Sequence, residues 1–477
     1  MTTPRAPDTT PASASPTSLR VIGPPGALAI VTGSMLGIGI FLTPSRVATH
    51  LPSPGLYLLA WVAGGFIALA GAVAYAELGT RFPEAGGDYV FLQEAFGPSL
   101  SFAAGWLLFV GVFTGSVATM AVPLAQYQLP GLLQPLYPYR PEAELWSLGM
   151  LELSAARAAA LILIVGLTVL NVLGTRLSTR AQVLLTVLPF ALLGIGAAAA
   201  VFTSPPGPVQ LAQPPAAPTG VRFARAVLAV YFAYAGWNAI AYVGGEVKRP
   251  ARTMPISLLG GTVVITGLYL VLAGCALYVL GIDALQQAGE VGTATARAIG
   301  GKALTYPTTL LIALVLVGSL NATVLAGGRV GLAMARRGAL LAKVGALHPS
   351  FRTPYVALAL QAALASLLVL TGTFEMLLEL TSLAMFLLAA LTVIALFIIR
   401  RRDGPAAPYQ ATGYPWLPGI FVLVSTAVIT SSVYRGFFGA GRLASESLYP
   451  LAGLAVFVVL WLGHGWFRGV SRERQRH

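Results

Sequence analysis

Charge is the scarcest property of this sequence. Only 9% of its 477 residues are charged, whereas a soluble domain carries about 25%. Hydrophobic residues make up 56% of the chain and the mean hydropathy is +0.79, which excludes a cytosolic enzyme, a secreted disulfide scaffold and a disordered protein. The apolar runs are continuous, which disfavours an outer-membrane barrel of alternating polarity. The composition predicts an all-α polytopic membrane protein.

Residues that support catalysis or metal binding are also few. The four histidines, His50, His348, His464 and His477, are scattered without metal-ligand spacing. The patterns H-E-x-x-H, G-x-S-x-G and G-x-x-x-x-G-K-[ST] do not occur in the sequence, so metalloprotease, hydrolase and ATP-driven chemistry lack their residues. The one cysteine, Cys275, lies in an apolar run and argues against a disulfide-linked accessory subunit. We expect neither an enzyme nor a bound metal or cofactor.

Apolar runs of membrane-spanning length number twelve. A spanning helix takes about 20 apolar residues, and the third and eighth runs exceed this length, which is compatible with tilt or with extension beyond the bilayer. The runs lie near 26–49, 55–79, 99–127, 155–173, 181–203, 223–246, 256–280, 303–335, 354–372, 376–399, 415–436 and 448–467.

The basic excess of the chain gives it a net charge of +13. A basic protein can bind nucleic acid, but membrane proteins also concentrate Lys and Arg in their cytoplasmic loops. With both termini in the cytoplasm, the twelve spans put 20 of the 29 Lys and Arg residues inside and 9 outside. This bias favours a multi-pass protein of the cytoplasmic (inner) membrane that contacts the lipid bilayer and has no nucleic-acid partner.

The first span has three glycines near its middle. Gly33, Gly37 and Gly39 lie within seven residues, and glycine costs up to about 1 kcal/mol relative to alanine inside a helix. An unwound turn there would aim free N–H groups and a positive dipole end at an anion such as a carboxylate. The alternative is close helix packing, because Gly33 and Gly37 also fit the small-xxx-small pattern.

The sixth span has a comparable interruption. Tyr231 to Ala239 reads YFAYAGWNA, a cluster of aromatic and small residues well inside the run rather than at a membrane interface, where an aromatic belt would lie. Interrupted helices in matching positions of two halves indicate a transport site between inverted repeats. Together the two spans therefore favour a functional interpretation over packing.

The sequence accordingly divides into two halves with additions. Residues 1–20 are rich in Pro, Ser and Thr and are predicted to be a disordered cytoplasmic tail. We expect a first five-helix repeat over 21–203, a second, inverted five-helix repeat over 222–400, two additional helices over 401–470 and a basic cytoplasmic tail over 471–477.

Four stretches resemble signatures of the bacterial amino-acid permeases of the amino acid–polyamine–organocation (APC) superfamily, near its L-type amino-acid transporter-like branch. They are GSMLGIGIF in the first span, PEAGGDYVFLQEAFGP at 83–98, FAYAGWNAIAYVGGEVKRPARTMP at 232–255, and NATVLAGGRVGLAMARRG with HPSFRTP at 321–338 and 348–354. The resemblance runs from about Val21 to the last span. It implies a 5+5 inverted-repeat (LeuT-like) core with helices 1 and 6 broken, plus two extra helices, and a secondary active transporter of amino acids that works by alternating access.

The resemblance also implies a substrate site. In this family the substrate carboxylate meets the unwound backbone of helix 1, and its ammonium group meets carbonyls at the break in helix 6. Carried onto this sequence, the implied substrate-binding residues are Ser34, Met35, Gly37, Ile38, Gly39, Phe232, Ala233, Tyr234, Gly236 and Trp237.

Two positions depart from the family pattern. Ile38 stands where relatives often have a small residue or serine, and should make the pocket smaller or more apolar. Pro189 stands where many relatives have a lysine thought to occupy a cation site, which puts proton coupling by that route in doubt. A Na+ site that includes Ser319, Asn321 or Thr323 is one alternative, ordinary interhelical hydrogen bonding by these residues is another, and exchange or facilitated transport without an ion is a third.

The acidic residues suggest the class of substrate. Glu77 and Glu246 fall near cytoplasmic ends of spans, where we expect them to pair with arginines or lysines in gating or structural contacts. In sequence, no acid adjoins either helix break, and a cationic amino acid or polyamine would need one. We therefore predict a neutral, small or apolar amino acid as substrate, with a cationic amino acid or polyamine as the alternative. A channel and a receptor or subunit role are the competing classes.

Overall fold

A computed structural model describes residues 20–133, 138–148, 151–203, 207, 219–371, 374–438 and 455–464, and these residues are mostly helical. The helices are, in chain order, α1 (Pro24–Met35), α2 (Gly39–His50), α3 (Pro54–Arg81), α4 (Asp88–Phe96), α5 (Pro98–Leu133), α6 (Ala155–Val172), α7 (Thr175–Thr203), α8 (Thr219–Ala233), α9 (Ala239–Tyr242), α10 (Pro250–Gln287), α11 (Val291–Arg336), α12 (Tyr355–Thr371), α13 (Phe374–Asp403), α14 (Trp416–Phe438) and α15 (Ala455–His464). Strands β1 (Glu144–Leu148) and β2 (Leu151–Ser154) pair antiparallel between α5 and α6.

Six of the described helices are long and apolar enough to cross a membrane: α3, α5, α6, α7, α10 and α11. Helices α1 and α2 form a further candidate as a pair, bent by 43° at their junction. Shorter apolar helices lie in α12, α14 and α15. The composition-based prediction of a helical, multi-span membrane protein is therefore confirmed.

Local geometry departs from uninterrupted spans at several places in the described helices. The run predicted at 303–335 belongs to α11, which begins at Val291 and is kinked where Gly301 has a φ of 56°. Helix α5 widens into π-helical turns over Leu107–Thr114 and Leu124–Gln128. The run predicted at 223–246 is divided between α8 and α9.

The hairpin β1–β2 was not predicted, and of the two predicted tails only Arg20 lies among the described residues.

The helices differ in which of their faces are buried. In the most apolar stretch of α11, 78% of residues are buried, against 22% in that of α7. Ile162 on α6 and Ile195 on α7 expose 73% and 68% of their surface. Such exposed apolar faces indicate contact with lipid, so α6 and α7 form part of the perimeter and α11 lies in the interior beside the helix breaks.

An aromatic cluster holds α3, α8 and α10 together. Trp61 is fully buried, and its ring centroid lies 6.3 Å from that of Tyr234 and 5.8 Å from that of Tyr269. The two tyrosine rings meet edge to face at 5.0 Å. Aromatic pairs in these orientations add about 0.5–1.5 kcal/mol each beyond the area they bury. The cluster therefore fixes the end of α8, where the second helix break begins.

Candidate functional site

The first break separates α1 from α2. Helix α1 ends at Met35, Leu36 has the non-helical angles φ −72° and ψ 73°, and α2 begins at Gly39. The amide of Gly37 donates to the Met35 carbonyl at 2.8 Å. Because the first amides of a helix have no acceptor within it, Gly39 and Ile40 bring N–H groups and a positive dipole end to the break.

The second break separates α8 from α9. Helix α8 ends at Ala233, and helical structure resumes at Ala239. Between them Gly236 has a φ of 98°, a conformation that residues with a Cβ avoid. A Cβ on Gly236 would also lie 2.6 Å from the carbonyl oxygen of Ser34. Glycine is therefore required at this position by its backbone angle and by the close approach of α1.

The two breaks face each other. A Cβ on Gly39 would lie 2.7 Å from the Cα of Ala233, so α2 and α8 touch at backbone level. Tyr269 of α10 lies beside both breaks, and its hydroxyl is placed to donate to the carbonyl of Met35 or to that of Ala233, the latter at 3.0 Å. One hydroxyl carries one proton, so the two carbonyls share a single donor there.

A cavity of about 210 Å³ lies between the breaks, and its walls are largely apolar. Trp237 forms part of the wall, with its ring centroid 4.7 Å from that of Tyr75 and 5.7 Å from that of Phe421. Apolar lining residues from the surrounding helices include Leu108, Val112, Phe113, Met120, Met385 and Leu388. The predicted substrate residues that line it are Ser34, Met35, Gly37, Ile38, Gly39, Ala233, Gly236 and Trp237.

Two predicted substrate residues are placed differently. Tyr234 is buried and donates its hydroxyl to the carbonyl of Trp61 at 3.0 Å, away from the cavity. Phe232 is in the last turn of α8, and its side chain lies outside what the structure describes. The sequence pattern identifies the break around these residues, but the side chain of Tyr234 packs into the aromatic cluster with Trp61 and Tyr269.

The predicted cation region is divided between the cavity and a hydrogen-bonded core. Thr323 lines the cavity and donates its hydroxyl to the carbonyl of Ser319 at 2.9 Å. The hydroxyl of Ser319 lies 3.7 Å from the sulfur of Met120. Pro189 is buried within α7 and is not one of the residues that line the cavity. These positions do not converge on one point.

Asn321 belongs to a network of neutral polar groups that we call the amide network. Its Nδ2 donates to Gln182 Oε1 at 2.8 Å, and its Oδ1 accepts from Asn171 at 2.9 Å and from Ser178 at 3.3 Å. Gln182 donates in turn to Thr186 at 2.9 Å. All five side chains are buried, and they join α6, α7 and α11. The geometry of Asn321 is that of interhelical hydrogen bonding.

The amide network reaches the first break through Gly33. A Cβ on Gly33 would lie 2.1 Å from Nε2 of Gln182, so the side chain of Gln182 fills the space left by the glycine. This contact places α7 directly against α1, just before α1 unwinds. Gly33 was predicted to belong to the break, whereas its contact with Gln182 joins segments far apart in the chain and was not predicted.

Glu77 and Glu246 each bind arginine. Glu246 receives the guanidinium of Arg329 at 2.8 Å, and both side chains are buried, with 3% and 0% exposed. Glu77 is fully buried and pairs with Arg81 at 2.8 Å, with Arg400 and with the amide of Ala411 at 2.7 Å. The acids therefore join separate helices, α11 to the segment after α9 and α3 to α13, at a distance from the cavity lining.

An acid does line the cavity, although none adjoins a break in sequence. Asp88, the first residue of α4, contributes to the wall. Tyr242 of α9 donates to its Oδ2 at 2.6 Å and receives the amide of Asn238 at 3.2 Å. Asp88 was missed because it lies far from both breaks in sequence. It follows Gly86 and Gly87 between two predicted spans, and the first turn of the helix that it begins is buried.

Comparison with known proteins agrees with this architecture. The family model described as amino acid permease matches residues 22–462. The chain is 29% identical over 446 residues to the serine/threonine exchanger SteT of Bacillus subtilis, covering 90% of this chain and 94% of that protein. It is 26% identical over 465 residues to the mouse b(0,+)-type amino acid transporter 1, covering 96% and 91%, and 26% identical over 457 residues to the human cystine/glutamate transporter, covering 94% and 87%. The resemblance found in the sequence motifs is thus confirmed, and the chain belongs to the amino acid permease family of the APC superfamily.

Proposed function

We propose that this membrane protein exchanges neutral amino acids across the cytoplasmic membrane by alternating access. The observation that carries the proposal is that two broken helices face one another across a cavity walled mainly by apolar side chains. Amino-acid transport itself follows from the family and from its relatives, which are transporters and not enzymes. The finer parts of the proposal are the binding mode, the substrate class and the exchange mechanism.

The two breaks offer complementary groups to an amino-acid backbone. The amides at the start of α2, from Gly39 and Ile40, suit a carboxylate because unpaired N–H groups and the helix dipole both favour an anion. The carbonyls of Met35 and Ala233 suit an ammonium group, since they are acceptors that share the single proton of Tyr269. A zwitterion bridging the breaks would link α1, α2 and α8.

The lining favours a neutral side chain. Ile38, Val112 and Phe113 present apolar surface, and burying an unpaired cation against such a wall is costly. Asp88 does not alter this expectation, since its Oδ2 accepts from Tyr242 and its Oδ1 is sealed from solvent. The alternative of a cationic amino acid or polyamine therefore lacks an accessible carboxylate in the described part of the lining.

Exchange is favoured over transport that is coupled to Na+ or to a proton carried by the residue at position 189. The oxygen of Asn321 already accepts the amide of Asn171 at 2.9 Å within the buried amide network, which leaves it poorly suited to a metal ion. Pro189 has no ionisable group. Among the relatives, SteT is named an exchanger. A translocation cycle that requires bound amino acid in both directions fits these features.

Alternating access needs two structural halves. Each of the segments 21–203 and 222–400 has a helix break near its start, between α1 and α2 in the first and between α8 and α9 in the second. Inverted repeats have broken helices at such matching positions. We place both termini in the cytoplasm, on the side rich in Lys and Arg. Rocking of one repeat against the other would then expose the cavity to each side in turn.

Purified protein in liposomes tests the proposal. We expect labelled alanine, serine or leucine to enter liposomes preloaded with unlabelled neutral amino acid and not to enter empty ones, with or without gradients of Na+ or H+. Arginine and putrescine should compete poorly. Gradient-driven accumulation in empty liposomes would replace exchange with symport, and efficient competition by arginine would overturn the neutral-substrate assignment.

Tyr269→Phe should weaken substrate binding. The change removes the hydroxyl that holds the carbonyls of Met35 and Ala233 beside each other and leaves the ring unaltered. The two breaks are then joined by one hydrogen bond fewer, worth about 0.5–1.5 kcal/mol, and are less well placed for the substrate. We expect a two- to tenfold rise in the half-saturating substrate concentration, roughly the ratio that this energy corresponds to.

Tyr57→Phe is the matched control for Tyr269→Phe. Tyr57 is equally buried in the same region, but its hydroxyl makes only a 3.5 Å contact with the carbonyl of Ala273. Equal losses of affinity in the two variants would show that the bridge between the breaks has no special role.

A further inference from the structure

Asp88 is a buried carboxyl group at the base of the cavity, and the binding scheme above does not use it. It is 2% exposed, and its Oδ1 is buried without a hydrogen-bond partner among the described residues. Its Oδ2 accepts from Tyr242. A carboxylate buried with one oxygen unpaired is costly, which calls for a ligand or a proton.

Two further hydroxyls surround the same carboxyl group. Those of Tyr75 on α3 and Thr392 on α13 interact with Asp88, and neither has a defined hydrogen-bond partner within the described structure. Four helices, α3, α4, α9 and α13, thus contribute oxygen atoms to one small volume. Either hydroxyl can donate to Oδ1 when the carboxyl group is ionised or accept from it when the group is protonated, so the site can hold Asp88 in both states.

Several other charged groups on the helices packed around α4 have partners of their own among the described residues. Glu77 on α3 binds Arg81 and Arg400, the latter from α13. Arg337, which follows α11, binds Glu84 and Glu94 at 2.8 and 3.1 Å, and Arg402 on α13 binds Asp403. Glu246 binds Arg329 of α11. The titratable groups that interact with Asp88 are the hydroxyls of Tyr75, Tyr231 and Tyr242. Arg46 of α2 lines the same cavity, but among the described residues it forms no ion pair with Asp88.

We propose that Asp88 is a proton-binding site that couples closure of the amino-acid cavity to pH. A substrate cation would need direct contact with the buried Oδ1, whereas a proton can reach the carboxyl group through a hydrogen-bonded group such as the hydroxyl of Tyr242. The site contacts the second break through Tyr242 and Asn238, so movement of α9 would change the surroundings of the carboxyl group. This inference rests on the proposed function, since α9 is expected to move during transport.

The sign of the pH dependence follows from burial. Loss of hydration raises the pKa of Asp88 to about 6, against an ordinary value of 3.8. A conformation that hydrates Asp88 would return the pKa toward the ordinary value. Protonation therefore favours the arrangement seen here, with Asp88 buried, and this preference is lost as pH rises through about 6. Because the transport cycle must pass through this arrangement, we expect exchange to fall roughly 25-fold between pH 5.5 and 7.5, in step with the protonated fraction.

Asp88→Asn tests the proposal in liposomes with equal pH on both sides. Asparagine keeps the shape and is permanently neutral, so we expect a flat pH profile and faster exchange than the wild type at pH 7.5. Glu94→Gln is the matched control: it removes one acid from the same helix α4 at a site that pairs with Arg337, and it should keep the wild-type profile. A wild-type profile in Asp88→Asn, or active wild-type exchange that is independent of pH, would overturn the proposal.

A second measurement does not depend on transport. Infrared difference spectra of the purified protein between pH 5 and 8 should show the carbonyl band of a protonated carboxylic acid that disappears in Asp88→Asn and persists in Glu94→Gln. Absence of that difference would refute the proton site even if Asp88→Asn failed to transport. Conversely, a protein that shows the band but exchanges no amino acid would retain the proton site and lose the proposed function.

Discussion

Gly39→Val should abolish amino-acid exchange in a protein that still folds. A Cβ at this position lies 2.7 Å from the Cα of Ala233, and a backbone atom cannot move aside as a flexible side chain can. Overpacking of this kind costs about 1–3 kcal/mol or more, which corresponds to roughly a 5- to 150-fold loss if the strain acts on the transport-competent state. The branched side chain would also enter the space proposed for the substrate carboxylate.

Gly166→Val is the control for Gly39→Val. Gly166 lies in α6, and a Cβ there has no neighbour within 4 Å among the described residues. Uptake by preloaded liposomes and thermal unfolding should be measured for both variants. Exchange by Gly39→Val at more than half the wild-type rate would show that α2 and α8 do not need to touch at this point.

Arg329→Met should destabilise the protein strongly. Arg329 is fully buried, bonded to Glu246 at 2.8 Å and to the hydroxyl of Thr175 at 2.8 Å. Removing one partner of a buried ion pair leaves the other charge unpaired and costs about 3–5 kcal/mol. We expect a lower thermal unfolding temperature in detergent and a lower yield, with partial recovery when Glu246→Leu is added, because the second change removes the orphaned charge.

Arg157→Met provides the comparison for Arg329→Met. Arg157 pairs with Glu152 at 2.9 Å, but Glu152 is 61% exposed, and pairs of this kind contribute at most about 1 kcal/mol. If the two arginine variants lose the same stability, or if Glu246→Leu worsens Arg329→Met, burial of the ion pair is not the source of the effect.

The sequence was informative about the helix breaks because their requirements are local. Gly37 and Gly39 weaken a helix wherever they occur, and the structure ends α1 at Met35 and begins α2 at Gly39. The second break was predicted within the aromatic and small residues of Tyr231 to Ala239, around Phe232, Ala233 and Tyr234, and the structure ends α8 at Ala233 and begins α9 at Ala239. Span limits were also close where apolar composition alone determines them, as for α3, predicted at 55–79 and found at Pro54–Arg81.

The sequence was uninformative where contacts between distant segments decide the outcome. Asp88 enters the cavity because α4 packs beside α9. The apolar residues that follow it indicate burial but not that its carboxyl group faces the helix breaks. Gln182 and Asn321 are 139 residues apart yet share a hydrogen bond. Polar residues in an apolar helix can face a cavity, a partner helix or water with the same sequence pattern, so the choice among these cannot be made before tertiary structure is known.

Helix α7 links the bilayer to the first break. It has 29 residues, which at about 1.5 Å per residue give it a greater length than the roughly 30 Å hydrocarbon thickness, a mismatch that a helix relieves by tilting. Its outer face is largely exposed, while Gln182 on its inner face fills the space beside Gly33. A thinner or thicker membrane would change the tilt of α7 and would thereby move Gln182 toward α1 or away from it. Lipid chain length should therefore alter the exchange rate at constant lipid headgroup composition.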